Sequence, residues 1–67
     1  MTYKEIKEYI GKKVVVTDVD GQKLRGVITN TESEFETASG KEEIELDVGK
    51  AFYGIPFDEV ESILEIK

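Results

Sequence analysis

Apolar and polar positions alternate in several short runs along the chain, and this period is typical of β-strands. The clearest organising segment is residues 11–29, GKKVVVTDVDGQKLRGVIT. The β-branched run at Val14, Val15 and Val16 favours extended structure, and Asp20-Gly21 favours a tight turn. We therefore predict that this segment forms a β-hairpin. Gly26 within the second strand indicates a bend or a close backbone approach.

The alternation does not decide the register of this hairpin. A two-residue loop at Asp20-Gly21 pairs Val19 with Gln22 and places Val15 and Thr17 on the same face as Leu24. A loop one residue longer places Val14 and Val16 there instead, because side-chain direction alternates along a strand.

Residues 2–10 have the features of a short helix. Thr2 followed by Glu5 is a capping-box pattern, and Gly11 suits a left-handed C-cap. Tyr3, Ile6 and Ile10 form one apolar stripe. We predict a helix that covers one open end of the β-structure, with a partner-binding helix as the alternative.

The rest of the chain predicts four further strands. A polar turn at residues 30–33 precedes a short strand with Phe35 and Thr37 on one side. Ile44, Leu46 and Val48 alternate with acidic residues in the next strand. Residues 51–57 form a strand in which Phe52 or Tyr53 faces inward, with Pro56 at an edge or an end. A 3₁₀ turn at residues 58–60 leads to a last strand at 62–66, in which Ile63 and either Val60 or Ile66 fill the core.

The first hairpin resembles the first signature segment of the Sm-like proteins. The matching residues are Gly11-x-x-Val14-x-Val16, Asp20-Gly21 and Leu24-x-Gly26-x-Ile28. The KOW motif of another SH3-like barrel group has similar spacing. The resemblance implies a mainly β fold: a short N-terminal helix (2–10) followed by a five-stranded, strongly bent SH3-like (Sm-like) barrel (12–67), all in one domain of residues 1–67.

Composition narrows the function. The 67 residues contain no cysteine and no histidine, which removes thiolate sites, the commonest metal ligand and the usual acid–base group. No phosphate-binding loop, nucleophile motif or metal-ligand cluster is present. We therefore expect no catalytic residues, no metal site, no cofactor and no enzymatic activity. No apolar run has the length of a membrane span or a signal core, so we expect a cytoplasmic protein without membrane contact.

Charge is concentrated in the middle of the chain. The formal net charge is −6, which disfavours nucleic acid as a partner. Lys4, Lys7, Lys12 and Lys13 are interpreted as a solvated face rather than a nucleic-acid contact. Between residues 32 and 47 stand seven carboxylates and one lysine: Glu32, Glu34, Glu36, Glu42, Glu43, Glu45, Asp47 and Lys41.

Strand alternation and protection against edge pairing explain many of these carboxylates. The near-absence of lysine suggests in addition an acidic surface that docks a protein partner with a basic patch. The candidate partner-binding residues are Glu34, Glu36, Glu42, Glu43, Glu45, Asp47 and Tyr53.

Three functions remain open. The first is a protein-interaction or regulatory module that uses the acidic surface, as the resemblance to acidic Sm-like proteins permits. The second is RNA binding, for which the resemblance implies a role for Asn30 and for the loop Pro56-Phe57-Asp58, which lacks the family's arginine. The third is a stable fold without a discrete site.

Overall fold

A computed structural model describes residues 1–67. Helix α1 (Tyr3–Ile6) continues into a 3₁₀ turn (Lys7–Tyr9). The strands are β1 (Lys13–Asp18), β2 (Lys23–Glu32), β3 (Glu43–Asp47), β4 (Phe52–Pro56) and β5 (Val60–Glu65), with a 3₁₀ turn (Phe57–Glu59) before β5. All five strands form one antiparallel sheet in the order β4-β3-β2-β1-β5.

The predicted fold class is confirmed: the chain is mainly β, with a short N-terminal helix and five strands. The sheet is barrel-like but not closed, because β4 and β5 are its two edges and do not pair with each other. Ten apolar side chains drawn from the helix, all five strands and the second 3₁₀ turn form one buried core.

The β1–β2 hairpin adopts the longer of the two loops. Val16 lies opposite Leu24, and the Asp18 N–H donates to the Gln22 carbonyl at 2.9 Å. The Asp18 carboxylate accepts the N–H groups of Asp20 and Gln22 across the loop. Gly21 has a φ of +83°, the left-handed value that closes a three-residue loop. Val14 and Val16 therefore face the core.

The long strand β2 connects two halves of the sheet. Its first half pairs with β1, and from Val27 onward it pairs with β3. The register shifts between Ile28 and Asn30, which marks a bulge at Thr29 and increases the local bend. The close approach expected at Gly26 is present, because a Cβ there would overlap the carbonyl oxygen of Asp47.

The N-terminal segment packs on the core, as predicted. Thr2 and Glu5 form the capping box, and Ile6 is fully buried. The Gly11 N–H donates to the Ile28 carbonyl at 2.6 Å, which ties the end of this segment to β2. Tyr3 was expected in the buried stripe, but it is half exposed. Of the three residues in the predicted apolar stripe, only Ile6 is fully buried, and Ile10 is partly buried against the core.

Two expectations about the middle of the chain are wrong. The polar turn predicted at 30–33 belongs largely to β2, which runs through Glu32. The strand predicted around Phe35 and Thr37 is a series of turns, and Phe35 is 91% exposed. The reason is that pairing with β3 continues past the bulge, so the chain reverses only after Ser33.

The last two strands agree with the pattern. Ile55 is buried, and Pro56 ends the edge strand β4. Val60 and Ile63 are buried in β5, while Ile66 follows the strand and is partly exposed. Of Phe52 and Tyr53, neither is buried: Tyr53 lies on the side of the buried Ile55, because residues two apart share a face.

Candidate functional site

Carboxylates of β2 and β3 form a continuous acidic face on the outer side of the sheet. Alternation buries Ile44 and Leu46 and turns Glu43, Glu45 and Asp47 to the opposite side. The register places Glu32 of β2 directly opposite Glu43. We use the name acidic face for these four residues: Glu32, Glu43, Glu45 and Asp47.

Neighbouring donors hold three of these carboxylates in place. The Thr29 hydroxyl donates to Glu45 Oε1 at 2.6 Å, and the Ser39 hydroxyl donates to Glu43 Oε2 at 2.6 Å. The Gly49 N–H donates to Asp47 Oδ1 at 2.8 Å. The donors carry no charge, so they restrict the orientations of the carboxylates without supplying a positive charge to the face.

No lysine or arginine pairs with the acidic face. The two ion pairs of the protein join Lys12 to Glu65 at 3.6 Å and Lys41 to Asp58 at 3.1 Å. Lys41, the lone lysine of the acidic stretch, is therefore engaged elsewhere. The face has an unneutralised negative potential.

The titration of Glu32 reflects this crowding. Partial burial raises the pKa of Glu32 above its ordinary value, and the charge and hydrogen bonding of Glu45 raise it further. Smaller contributions to the raised pKa come from Glu36 and Glu43. A positive group brought to this face would relieve the same repulsion.

The structure groups only some of the residues that the sequence nominated. Glu43, Glu45 and Asp47 lie together on the acidic face. Glu34 and Glu36 lie in the turns between β2 and β3, where the Ser33 hydroxyl donates to Glu36 Oε1 at 3.0 Å, and Glu42 is exposed just before β3. Glu32 joins the face because β2 extends further than the polar sequence suggested.

Tyr53 does not belong to the acidic face. It lies opposite Leu46 on the inner side of the sheet, is 48% exposed, and lines a small groove of about 170 Å³ with Leu24 and Ile55. Its neighbour Phe52 lies on the outer side, opposite Asp47, and is 64% exposed. The sequence analysis left open whether Phe52 or Tyr53 faces inward and did not identify Phe52 as a residue of the outer surface. Counting back by alternation from a buried Ile55 would have found it.

An exposed aromatic ring therefore borders the acidic face: Phe52 lies opposite Asp47 on the edge strand. A second exposed ring, Phe35, lies in the turns that follow β2. Aromatic side chains supply large contact areas at protein interfaces, and their faces attract cations. The surface thus combines negative charge with apolar anchors.

The residues that the Sm-like resemblance associates with RNA binding do not form a nucleic-acid site in this structure. Asn30 lies within β2, opposite Glu45, so its surroundings are negative. Phe57 is buried in the core. Neither residue presents a base-stacking or phosphate-binding group on a basic surface.

The acidic carboxylates do not converge into a set that could hold a metal ion. None of the helical segments has the length and apolar character needed to cross a lipid bilayer. Comparison of the chain with models of known protein families, with curated protein sequences and with solved structures finds no match. The resemblance to the Sm-like proteins therefore stays a prediction.

Proposed function

We propose that this chain is a non-enzymatic protein-interaction domain that binds a basic surface of a partner through its acidic face. The observation that carries the proposal is the placement of Glu32, Glu43 and Glu45 side by side across β2 and β3, without any paired cation. Opposite potentials at an interface accelerate association and select against wrong partners.

The exposed aromatic rings support the same function. Energetically dominant interface residues are enriched in aromatic side chains, and the surrounding polar residues exclude water from them. Phe52 occupies such a position at the border of the acidic face, opposite Asp47. A partner with lysine or arginine near an apolar surface satisfies both features.

The fold and location complete the proposal. We regard the chain as a divergent acidic member of the Sm-like group of SH3-like barrels, supported by the hairpin motif and by the close packing at Gly26. We place its interaction with a partner in the cytoplasm, because of the sequence features described above.

A capture experiment tests the acidic face. The protein is immobilised, exposed to cell lysate at low salt, and eluted with increasing salt. The variant E32Q/E43Q/E45Q should lose partners that the unmodified protein retains, because ionic contacts of the face are removed. The matched control E8Q/D20N/E61Q neutralises the same number of exposed carboxylates elsewhere and should retain them.

A second variant tests the apolar anchor. Phe52→Ser leaves the charge unchanged and should weaken binding of the captured partner by tenfold or more, corresponding to about 1.4 kcal/mol. Equal retention by both triple variants, together with no effect of Phe52→Ser, would contradict the proposal.

A further inference from the structure

The outer side of the sheet has opposite charges at its two ends. Lys23 and Arg25 lie on β2 before the bulge at Thr29, and Glu32 lies after it. Lys13 of β1 lies opposite Val27, one outward position further along the same side as Arg25. A chain of net charge −6 therefore retains a local positive region on β1 and β2.

A groove of about 430 Å³ opens in this positive region. Lys13 and Arg25 line it from β1 and β2, and Val27, Val48 and Ile66 supply apolar walls. This volume lies within the range of small-molecule sites, which combine apolar walls with a few polar groups. The groove is more than twice the size of the one beside Tyr53.

Two glycines shape the groove. Gly26 allows β2 to approach the backbone of Asp47, and Gly49 adopts a φ of +98° in the turn after β3. Asp47 is the only carboxylate that lines the groove, and the Gly49 N–H donates a hydrogen bond to one of its oxygens at 2.8 Å.

The two cations of the groove have no partner in the protein. Both ion pairs of the chain involve other lysines, Lys12 and Lys41. The Arg25 guanidinium has a planar set of donors that matches a carboxylate or phosphate in two-point contact. Lys13 supplies a second positive charge on the same groove.

We propose that this groove binds a small organic anion, in which a carboxylate or phosphate is attached to a compact apolar group. Arg25 binds the anionic group, Lys13 contributes the second charge, and the three apolar side chains cover the body of the ligand. The groove adjoins the acidic face at Asp47, which belongs to both, but the proposed anion site depends on Lys13 and Arg25, which lie outside the acidic face.

The surroundings restrict the size of the anion. Asp47 borders the groove, and Glu45 and Glu43 continue along β3 beyond it. A single anionic group faces two cations and one carboxylate in the groove, whereas a nucleic-acid chain that leaves the groove along β3 also meets Glu45 and Glu43. The site therefore favours small anions over polyanions.

Nuclear magnetic resonance titration of the ¹⁵N-labelled protein tests the proposal. The ligands are 3-phenylpropionate and phenyl phosphate, with 3-phenylpropanol as the neutral analogue and a short single-stranded DNA as the polyanion. Binding of either acid should shift the amide signals of Gly26, Val27, Val48 and Gly49 and identify the preferred anionic group. The neutral analogue and the DNA should leave these signals unchanged at the same concentration.

Variants identify the residue that binds the anion. Arg25→Gln should weaken binding about tenfold, because it removes a charge-assisted contact. Lys23→Gln is the matched control: it removes the same charge from the same strand but does not line the groove, and it should change affinity less than about twofold. Thermal unfolding of both variants checks that the fold is retained.

Four results would overturn the proposal. They are the absence of shifts with both acids at millimolar concentration, equal binding of 3-phenylpropanol, tighter binding of the DNA, and equal effects of Arg25→Gln and Lys23→Gln.

Discussion

A side chain at position 26 would collide with the neighbouring strand. A Cβ on Gly26 would overlap the carbonyl oxygen of Asp47, and this oxygen belongs to the backbone of β3. The strand cannot move without disturbing the buried Leu46 next to it. Close packing of β2 on β3 therefore depends on the absence of a side chain at this residue.

We expect Gly26→Ala to reduce the free energy of unfolding by about 1–3 kcal/mol, the usual cost of overpacking. The measurement is urea unfolding followed by circular dichroism. Gly54→Ala is the control, because its Cβ would meet only the carboxylate end of Glu43, which can shift at the cost of its exposed hydrogen bond with Ser39 and without moving the backbone. Its effect should stay within about 0.5 kcal/mol. Equal losses in the two variants would contradict this explanation of Gly26.

Exposed aromatic residues show the limit of reasoning from single positions. The alternation of Phe35 with Glu34 and Glu36 is typical of a strand, but Phe35 lies in a turn and is almost fully exposed. The residues next to Phe35 in the sequence do not indicate that β2 continues through Glu32. The position of the turn depends on pairing with β3, which is formed by residues further along the chain.

At the level of elements, β2 organises the sheet and its charge. Its first half pairs with β1 and carries Lys23 and Arg25, and its second half pairs with β3 and carries Glu32. The bulge at Thr29 lies between the two cationic residues and Glu32, within the part of β2 that pairs with β3. One strand therefore contributes both to the groove that we assign to a small anion and to the acidic face.

The raised pKa of Glu32 predicts a pH dependence of stability. Partial burial and the charge of Glu45 raise the pKa of Glu32 in the folded state, so the folded protein holds this proton more tightly than the unfolded chain. Stability should therefore increase as pH falls from neutral through the raised pKa of Glu32. The increase ends once pH is below the ordinary pKa of a glutamate, where both states are protonated.

Glu5 should act in the opposite direction at lower pH. The Thr2 N–H and hydroxyl donate to the Glu5 carboxylate and lower its pKa, so its stabilising effect is lost as pH falls through that lowered value. Protonation of Glu32 changes stability at pH values above the ordinary glutamate pKa. Protonation of Glu5 changes stability at pH values below it.

Replacement of Glu32 tests this assignment. Glu32→Gln should raise the melting temperature at neutral pH and remove part of the increase on mild acidification. Calorimetric melting temperatures over this pH range provide the measurement. Glu61→Gln, an exposed substitution on β5, is the control and should preserve the pH profile. A profile unchanged in Glu32→Gln would assign the effect to other carboxylates.

For the whole molecule, excess negative charge opposes the compact state. The formal net charge is −6 on a protein whose largest dimension is 33 Å. At low ionic strength the screening length approaches this dimension, and at 0.1 M salt it falls to about 10 Å. Both ion pairs are exposed and contribute little to stability, so their screening by added salt costs the protein little free energy of unfolding.

We therefore expect sodium chloride to stabilise the protein. Raising the salt from low to physiological concentration should increase the melting temperature by roughly 2–4 °C, which corresponds to about half a kcal/mol for a domain of this size. The variant E32Q/E43Q/E45Q has three fewer negative charges and should respond less. A decrease in melting temperature with salt would show that attractive ion pairs outweigh repulsion.

The sequence by itself determined the local features of this protein. The Thr2–Glu5 capping box, the Asp20-Gly21 turn and the buried pair Ile44 and Leu46 depend on residues a few positions apart. Caps, turns and alternation act over such short distances, and they were sufficient to predict a mainly β chain with a short N-terminal helix. They also predicted one strand too many, around Phe35, and the count of five came from the resemblance to the Sm-like barrels. The acidic residues of β3 could be nominated for the same reason.

Only the tertiary structure decided how these elements meet. It selected the three-residue hairpin loop and extended β2 past the bulge. It left β4 and β5 unpaired with each other and placed Tyr53 on the opposite side of the sheet from Glu43 and Glu45. It also brought Lys13 and Arg25 to one groove, although the charge total is strongly negative. Register and bulges depend on pairing between distant segments, and a shift of one residue exchanges the two faces of a strand.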